Sequence, residues 1–475
     1  MLGRLAFALA VGSGSLACGS TATPGAPGDD GKVTWNQEIA PIVTRKCVTC
    51  HQPGGIGPMS LADYQSALPH AGKMLQQVEA GTMPPWGART TDECTPTFGF
   101  KDDPRLTEDE QALLAAWLDQ GALEGSPATQ PLPRPAQTSL QNPDLHLTIP
   151  SSVEIAGTSD RFVCFVLDPG NVDDAYIKAV QVNPGNAAIV HHVLIFADPK
   201  NEKTQENEST RLADENGQYD CFGGPGLSGA VQLIGAWAPG AVPAVMPEDV
   251  SVQLAGGSKL VVQVHYHPTR VSREVDATTS VDMVFTDKPK IPGFLFLIGN
   301  FGEKDMDVAG GTGYGLLPGP DDPASGPAFL IPPNVTAHTE TQRFLVREPG
   351  PDSPLGKLGA SAFRMWGVGT HMHYVGRDMK IDIEHADGEK ECLVQTPDWD
   401  FSWQRFYSYD APLSSVPTVR PGDVVNMRCT YDNSMANRFV RTALQEQSID
   451  VPIDVRLGET TLDEMCLGVF GVALE

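Results

Sequence analysis

The motif with the most specific spacing in this chain is Cys47-Val-Thr-Cys50-His51, a C-x-x-C-H sequence. Two thiols at this spacing can form thioethers to the vinyl groups of a haem, and the adjacent imidazole then reaches the iron. The alternatives are a thioredoxin-like dithiol, which needs a βαβ context, and half of a zinc site, which needs a second Cys/His pair nearby. Neither context accompanies the motif, so the sequence predicts one covalently attached haem c.

The same region should also supply the sixth ligand of the haem iron. The candidates are Met59, Met74, Met83 and His70. A thioether in this position raises the reduction potential of the iron. Met83 is the preferred candidate, because the two prolines that follow it lack backbone donors and stiffen an extended loop. The other interpretation of Met83 is a core side chain beside Trp86.

The region ends in a predicted amphipathic helix. Thr107 and Glu110 have the spacing of a capping box, and apolar residues follow at helical spacing, namely Leu113, Leu114, Trp117 and Leu118. Together with the haem motif, this helix resembles a class I cytochrome c, and the resemblance spans Lys32 to Gly125. It implies a small all-α cytochrome c domain at residues 32–125 that transfers electrons. The proline-rich segment 126–143 is typical of a linker.

After the linker, the sequence pattern changes to the period of two that is typical of β-strands. Residues 259–267 alternate between apolar and polar side chains, and so do residues 379–384. The second run leads into an Asp387-Gly388 turn, after which the apolar run 392–394 returns, and this predicts a β-hairpin. The remainder of the chain is therefore expected to be largely antiparallel sheet.

Histidines cluster in these predicted strands. His191 and His192 are neighbours, and neighbouring side chains of a strand point to opposite faces. Both can therefore bind one metal ion only at a bulge or a strand end, or through different ring nitrogens. Two H-x-H motifs, at 265–267 and 371–373, place both imidazoles on one face of a strand, where they can converge on one ion. Imidazole suits zinc, copper, iron and nickel alike, so spacing alone does not select the metal.

The order of these motifs along the chain narrows the interpretation. Four motifs follow one another along the chain: a His-His pair at His191, a Val-His-Tyr sequence at His265, a His-x-His-x-x-Gly sequence at His371 and a Glu-Met-Cys sequence at Met465. This order resembles the type II copper, ascorbate-dependent monooxygenases, the family that includes peptidylglycine α-hydroxylating monooxygenase and dopamine β-monooxygenase. The resemblance covers roughly Pro150 to Glu475.

The resemblance implies a fold, two copper ions and their ligands. The cytochrome c domain would be followed by two antiparallel, jelly-roll-like β-sandwich domains, at 144–290 and 291–475, with a solvent-filled cleft between their copper ions. The electron-transferring copper would be bound by His191, His192 and His265. The copper at which dioxygen binds and substrate is hydroxylated would be bound by the catalytic residues His371, His373 and Met465. His267 matches no ligand of the family; it is expected at the surface, and the alternative is a residue that tunes the ligands from beside them.

Six cysteines remain beside Cys18 and the haem motif, and six cysteines allow fifteen pairings. The family resemblance suggests two disulfides, Cys164–Cys221 and Cys429–Cys466. Cys94 and Cys392 are left by elimination. A bridge between them would join the cytochrome to the last domain.

The resemblance implies a copper-dependent monooxygenase, an oxidoreductase that uses dioxygen to hydroxylate a C–H bond. One oxygen atom enters the substrate, the other leaves as water, and the reaction consumes two electrons. The fused haem c is expected to deliver these electrons in place of a small reductant, and an external donor would reduce the haem. The alternative is a non-catalytic haem and copper electron-transfer protein, which binds the same metals but forms no oxygen-dependent product.

Three positions bear on the substrate. In the peptide-amidating members of the family, an Arg, an Asn and a Tyr bind the carboxylate of the peptide. The corresponding residues here are Gly369, Leu467 and Val469, whose side chains cannot bind a carboxylate. The expected substrate is therefore a neutral or apolar small molecule.

Charge and the N-terminus indicate where the protein works. The chain of 475 residues has 33 Lys and Arg against 59 Asp and Glu, a net charge of −26, which disfavours nucleic acid. Residues 1–18 have the positive charge, apolar stretch and small residues of a secretory signal peptide. Cleavage before Cys18, as in a bacterial lipoprotein, would give a lipid-anchored protein, and cleavage elsewhere a free periplasmic one. Export is expected in both cases, with that lipid as the sole membrane attachment.

Overall fold

The structure is a computed structural model that describes residues 31–53, 57–128, 130–133, 139–157, 159–228, 231–269, 273–289, 291–301, 314–319, 322, 326–351 and 354–474. The predicted signal peptide and Cys18 lie outside these residues. The chain forms two compact units. The first contains the residues up to Pro84 together with Arg105–Ala136, and the second contains Pro85–Pro104 and Gln137–Glu475.

Helices are the main elements of the first unit. A π-helical turn, Trp35–Ile39, runs into α1 (Ala40–Lys46), and α2 (Tyr64–Ala67), a 3₁₀ turn (Leu68–His70), α3 (Ala71–Glu79) and α4 (Glu108–Asp119) follow. Helix α4 is the helix predicted from the capping box. Thr107 Oγ1 accepts a hydrogen bond from the Glu110 N–H at 3.2 Å, and Glu110 Oε2 accepts one from the Thr107 N–H at 3.0 Å. The helix buries Trp117, whose ring lies 5.6 Å from that of Trp35.

Strands dominate the second unit, which confirms the prediction of a largely antiparallel sheet protein. The strands of its first half are β1 (Leu145–Thr148), β2 (Val153–Ile155), β3 (Arg161–Leu167), β4 (Ala175–Asn183), β5 (Val190–Asp198), β6 (Gln218–Asp220), β7 (Gln232–Trp237), β8 (Ala244–Val245), β9 (Val250–Leu254), β10 (Lys259–Tyr266), β11 (Glu274–Asp276) and β12 (Ser280–Thr286). A short helix, α5 (Glu208–Leu212), follows β5.

The second half of this unit is also built mainly of strands. Its strands are β13 (Ile291–Gly299), β14 (Gly315–Leu316), β15 (Leu330–Ile331), β16 (His338–Leu345), β17 (Phe363–His371), β18 (Gly376–Glu384), β19 (Lys390–Thr396), β20 (Phe406–Ser408), β21 (Thr418–Val419), β22 (Val424–Tyr431), β23 (Val455–Arg456) and β24 (Leu467–Leu474). Its helices are α6 (Pro354–Lys357) and α7 (Arg438–Glu446). Strands β18 and β19 pair as the predicted hairpin.

The sheets pack in pairs as β-sandwiches. In the first half, a sheet of order β6-β3-β10-β5-β7 lies against strands β1, β12, β4 and β9 around one apolar core. In the second half, a sheet of order β14-β16-β22-β18-β19 lies against β13, β24, β17 and β20 around another. Strand β9 also pairs in parallel with β13, so one ten-stranded sheet runs through both halves. Trp366 of β17 and Ala473 of β24 contribute to the core of the first half, which ties the two sandwiches together.

All three expected disulfides are present. They are Cys94–Cys392, Cys164–Cys221 and Cys429–Cys466. The first lies within the second unit, because Cys94 belongs to the segment 85–104 that packs there. The bridge therefore joins a segment within the predicted region 32–125 to the last domain, and that segment belongs to the second unit. Disulfides of this number are typical of proteins that fold in an oxidising compartment, which supports export. Among the described helices, none is long and apolar enough to cross a membrane.

Candidate metal centre

Three of the predicted ligands, His191, His192 and His265, lie together in the first sandwich. One ring nitrogen from each histidine lies within 4.8 Å of a ring nitrogen of each of the other two. The strand pairing explains how adjacent histidines can converge. Residue 265 of β10 is opposite residue 192 of β5, but the next pair is Tyr266 with Val190, so His191 is an extra, bulged residue at the start of β5. This is one of the geometries under which the sequence allowed the pair to share an ion.

Two ring nitrogens of this group face each other, and three others lack a hydrogen-bond partner. Nδ1 of His191 lies 3.2 Å from Nδ1 of His192. Two nitrogens bound to one metal at about 2.0 Å in a tetrahedron are separated by about 3.3 Å, so this spacing suits a shared ion. Neither ring nitrogen of His265 has a hydrogen-bond partner, and neither does Nε2 of His191. The His265 ring is held by stacking on Phe162, with ring centroids 4.1 Å apart and planes inclined by 13°.

Burial keeps these imidazoles neutral. Loss of hydration lowers the pKa of His191 and of His192 well below the ordinary value, and the neighbouring histidines lower it further. Burial also lowers the pKa of His265. A neutral imidazole has a lone pair to give to a metal ion, whereas an imidazolium has none. Buried polar atoms without partners are rare in folded proteins, and a metal ion would satisfy these three rings.

The second group, His371 and His373, follows from the end of β17. Their ring centroids are 5.3 Å apart, while the intervening Met372 points into the apolar core and is fully buried. Nδ1 of His371 lies 2.6 Å from the amide oxygen of Gln404, and Nδ1 of His373 lies 3.0 Å from the carbonyl oxygen of Asp463. These oxygens only accept, so each Nδ1 carries the proton and each Nε2 has a lone pair.

The free nitrogens of this group are as available as those of the first group. Nε2 of His373 is buried without a partner. Burial lowers the pKa of His371 to about 4 and that of His373 to about 3. Both rings are therefore neutral near pH 7 and suited to bind a metal ion.

Glu464 links Met465 to the second histidine group. Its fully buried carboxylate accepts hydrogen bonds from the backbone N–H groups of His373, Val375 and Met465, the last at 2.7 Å. Met465 is buried, and its carbonyl oxygen accepts a hydrogen bond from the Tyr431 hydroxyl at 2.9 Å. Burial raises the pKa of Glu464 to about 8. The backbone of the predicted thioether ligand is thus fixed relative to that of the H-x-H segment.

The two histidine groups lie next to each other. The His191 and His373 ring centroids are 5.7 Å apart, and those of His192 and His371 are 6.3 Å apart. The expected solvent-filled cleft between the two sites is therefore wrong for this structure. Phe401 packs over the cluster, 4.9 Å from the His191 ring and itself buried.

The structure also corrects the expectation for His267. This residue is buried, not at the surface. Its Nδ1 lies 2.7 Å from Asp160 Oδ1, and its Nε2 lies 3.4 Å from Glu446 Oε2. Asp160, Gln404 and Glu464 escaped the sequence analysis as supporting residues. Only Glu464 carried a signal, as part of the Glu-Met-Cys motif.

The haem motif begins directly after helix α1 of the first unit. Cys47 and Cys50 are not joined in a disulfide, and burial raises the pKa of Cys47 to about 12. Nδ1 of His51 lies 3.2 Å from the Met59 carbonyl oxygen, an acceptor, so Nε2 is the unprotonated nitrogen. Met83 is half-buried at the end of the first unit's opening segment. The residues present therefore fit a covalent haem whose iron is bound by His51.

Neutral imidazoles, together with Met465 on a segment whose backbone is joined to the H-x-H segment through Glu464, are a donor set that suits copper. Residues 352–469 match the family described as "Copper type II ascorbate-dependent monooxygenase, C-terminal domain". Dopamine beta-hydroxylase of Bos taurus is 23% identical over 342 residues, which cover 70% of this chain and 49% of that protein. The Homo sapiens enzyme is 23% identical over 296 residues, 59% of this chain and 40% of that protein.

These matches support the type II copper monooxygenase family and copper as the metal. The chain spans about half the length, or less, of these curated relatives. Among solved structures, the major capsid protein P2 of bacteriophage PM2 aligns at 7% identity and a TM-score of 0.19, covering 66% of this chain and 98% of that chain. A likeness of that size carries no argument.

Proposed function

We propose that this protein is a copper-dependent monooxygenase that hydroxylates a C–H bond of a small molecule with dioxygen. The observation that carries the proposal is the cluster of five neutral histidines at positions 191, 192, 265, 371 and 373, four of which are buried. His191, His265 and His373 have buried ring nitrogens without a hydrogen-bond partner. Buried polar groups are nearly always paired in folded proteins, so a group of unpaired imidazole nitrogens supports a bound metal ion.

These residues belong to two proposed sets of copper ligands. One copper ion would be held by His191, His192 and His265, and the other by His371, His373 and Met465. When bound, copper supplies one electron per ion and activates dioxygen, so that one oxygen atom enters the substrate and the other becomes water. Three imidazoles suit both oxidation states, whereas a thioether favours Cu(I).

The protein itself orients these ligands and excludes water. Gln404 and the Asp463 carbonyl hold His371 and His373 in the tautomer that exposes Nε2. Glu464 fixes the backbone on which Met465 and His373 are carried. Burial of the cluster removes bulk water, which protects a reactive oxygen species from side reactions.

The surroundings of the site suit a neutral or apolar substrate. Phe401 stacks on Tyr374, with ring centroids 4.2 Å apart, beside the rings of His191 and His373. Gly369 and Val469 pair across β17 and β24 and offer no charge for a carboxylate. The net charge of −26 also disfavours an anionic substrate.

Electrons would enter through the first unit. Cys47 and Cys50 would attach one haem c, with His51 and Met83 as axial ligands, and an external donor would reduce it. Residues 1–18 would direct export to the periplasm, or to a lipid anchor at Cys18 in the bacterial envelope. The spacing of the C-x-x-C-H motif, whose two cysteines form no disulfide, supports the haem attachment.

Elemental analysis and ¹⁸O₂ labelling test the proposal. The purified full chain should contain two coppers and one haem iron, and His371→Ala should contain one copper. His385→Ala is the matched control and should retain two, because this ring is partly exposed beside a carboxylate of Asp423, away from the cluster. A screen of neutral aromatic and aliphatic compounds should yield a product with one ¹⁸O atom. Copper without labelled product in the screen would favour the electron-transfer alternative, and a chain without copper would contradict both.

A further inference from the structure

His265 differs from His371 and His373 in how its ring is held. An imidazole that binds a metal ion usually donates its second ring N–H to an oxygen acceptor, which fixes the orientation of the ring. His371 and His373 follow this rule, through Gln404 and the carbonyl of Asp463. Among the described residues, none forms a hydrogen bond with either ring nitrogen of His265. Another contact must therefore fix the orientation of this ring.

A stacked aromatic ring takes the place of the missing hydrogen bond. Phe162 of β3 lies directly opposite His265 of β10 in the antiparallel pairing. The two ring centroids are 4.1 Å apart and the ring planes are inclined by 13°, so the rings lie face to face. The Asp160 carboxylate is 3.6 Å from Nε2 of His265, which is beyond hydrogen-bond distance. Because rotation of the imidazole would break the stack, Phe162 fixes the plane of the His265 ring.

Phe162 is itself held from behind. Its carbonyl oxygen accepts a hydrogen bond from the Cys221 N–H at 3.1 Å, and Cys221 forms a disulfide with Cys164 of the same strand β3. The buried side chain of Gln263 donates to the Cys221 carbonyl oxygen at 2.8 Å. The next residue, Phe222, packs its ring against that of Phe162, with centroids 5.1 Å apart and planes inclined by 82°. Phe162 therefore cannot move away from His265 without disturbing this support.

Phe222 occupies an unusual position for a large apolar side chain. Its exposed fraction is 66%, although the residue before it is anchored by a disulfide and by a buried amide. A side chain as exposed as this gains little free energy from its own burial. Its contact with Phe162, which is 5% exposed, accounts for its placement. The two phenyl rings and the disulfide thus form one support for the His265 ring.

We propose that Phe162 is a positioning residue of the metal site formed by His191, His192 and His265, and that it acts by stacking on the His265 ring. This role rests on the proposed function, because it takes copper as the metal. An imidazole bound to Cu(II) carries more positive charge than one bound to Cu(I), and the face of a phenyl ring attracts positive charge. The stack therefore favours Cu(II) and lowers the reduction potential of this copper.

Variants of Phe162 in the His371→Ala background test this role, because only copper at His191, His192 and His265 should remain there. Phe162→Leu keeps an apolar side chain but removes the ring. It should bind this copper about 10- to 100-fold more weakly, the usual loss when a group that orients a metal-ligating His is removed. Its Cu(II) electron paramagnetic resonance spectrum should change, and its reduction potential should rise. Phe162→Tyr keeps a stacking ring and should retain the affinity, spectrum and potential of the background protein.

The matched control is Phe165→Leu in the same background. Phe165 is a fully buried residue of the same strand, and its side chain points to the opposite face from that of Phe162. Phe165→Leu should lower the free energy of unfolding in urea without changing the copper spectrum or potential. A change in Phe162→Leu that this control does not share therefore reports on the site and not on stability alone.

Phe222→Leu keeps the test available should Phe162→Leu fail to fold, because it alters an exposed side chain. It removes the ring behind Phe162, so it should shift the spectrum and the potential in the same direction and to a smaller extent. Unchanged spectra and potentials in both Phe162→Leu and Phe222→Leu, with copper bound, would overturn the positioning role and leave the proposed function standing. A background protein that binds no copper would overturn both.

Discussion

Single residues decide which nitrogen each candidate ligand presents. His373 cannot use Nδ1 for a metal, because that nitrogen donates to the Asp463 carbonyl, and its Nε2 is left buried without a partner. Holding an imidazole in this state has a thermodynamic consequence in the metal-free protein. Protonation of the ring is easier in the unfolded chain than in the folded one, so acid favours unfolding.

The pH dependence of the free energy of unfolding should reveal this effect of His373. The folded pKa of His373 is about 3, below the ordinary 6.5, so its contribution to stability is present above pH 6.5 and is lost as the pH falls. Between pH 6.5 and 4.5 this one group should cost the metal-free protein about 2 kcal/mol. Urea unfolding in the presence of a chelator should show a flatter pH profile for His373→Gln by this amount. A pH profile for His373→Gln as steep as that of the wild type would contradict the prediction.

Glu464 should be needed for copper at the second group. Its carboxylate accepts from several backbone N–H groups, and Glu464→Gln replaces one acceptor oxygen by an NH₂ that faces donors. We expect a loss of about 1–3 kcal/mol of unfolding free energy and a copper content of one per chain. Glu459→Gln, which alters a carboxylate that accepts from the Gly223 N–H near the surface, should keep two coppers. An unchanged copper content in Glu464→Gln would refute the role.

At the scale of strands, local sequence patterns predicted the hairpin of β18 and β19 and the strand β10. They also limited the His191-His192 pair to a few geometries, one of which is the bulge that the pairing of β5 with β10 produces. The capped helix α4 followed from Thr107, Glu110 and the helical spacing of the apolar residues after them. These features are local, because they depend on residues a few positions apart.

The same local patterns could not predict contacts between distant parts of the chain. Asp160 bonds to Thr461, 301 positions away, and Gln404 bonds to His371 from a loop without a regular pattern. The placement of the two histidine groups in one cluster depends on how two sandwiches share a sheet through β9 and β13. Periodicity identifies a buried face, but it does not specify which sheet covers it.

The disulfide Cys429–Cys466 should stabilise both the fold and the second ligand set. It joins β22 to the residue after Met465 and closes a separation of 37 residues, for which loop entropy predicts about 3–4 kcal/mol. The double variant Cys429→Ser/Cys466→Ser should lose this stability and one copper, by thermal unfolding and elemental analysis. Cys164→Ser/Cys221→Ser should lose comparable stability while keeping the copper at the second group. Retention of both coppers in the first variant would contradict the coupling.

For the whole molecule, haem and copper should be separable by mutation. The C-x-x-C-H motif lies in the first unit and all predicted copper ligands lie in the second. Cys47→Ala/Cys50→Ala should therefore lose covalent haem, measured by haem staining of a denaturing gel, while copper stays at two per chain. If haem is the electron entry, this variant should turn over only with an added small reductant such as ascorbate. Wild-type turnover without such a reductant would exclude the haem as the electron source.

The chain passes from the first unit to the second at Pro85 and returns at Arg105, and this limits how the two units can be joined in a chimera. The second unit takes Pro85–Pro104 from the middle of the first, and it retains that segment through Trp86, which packs in its core, and the Cys94–Cys392 bridge. A chimera whose junction lies in the segment 126–143 would therefore lack Pro85–Pro104, which belongs to the second unit. The two units must be exchanged together in any chimera, and a version that begins at residue 137 would fold without a piece of its own interior.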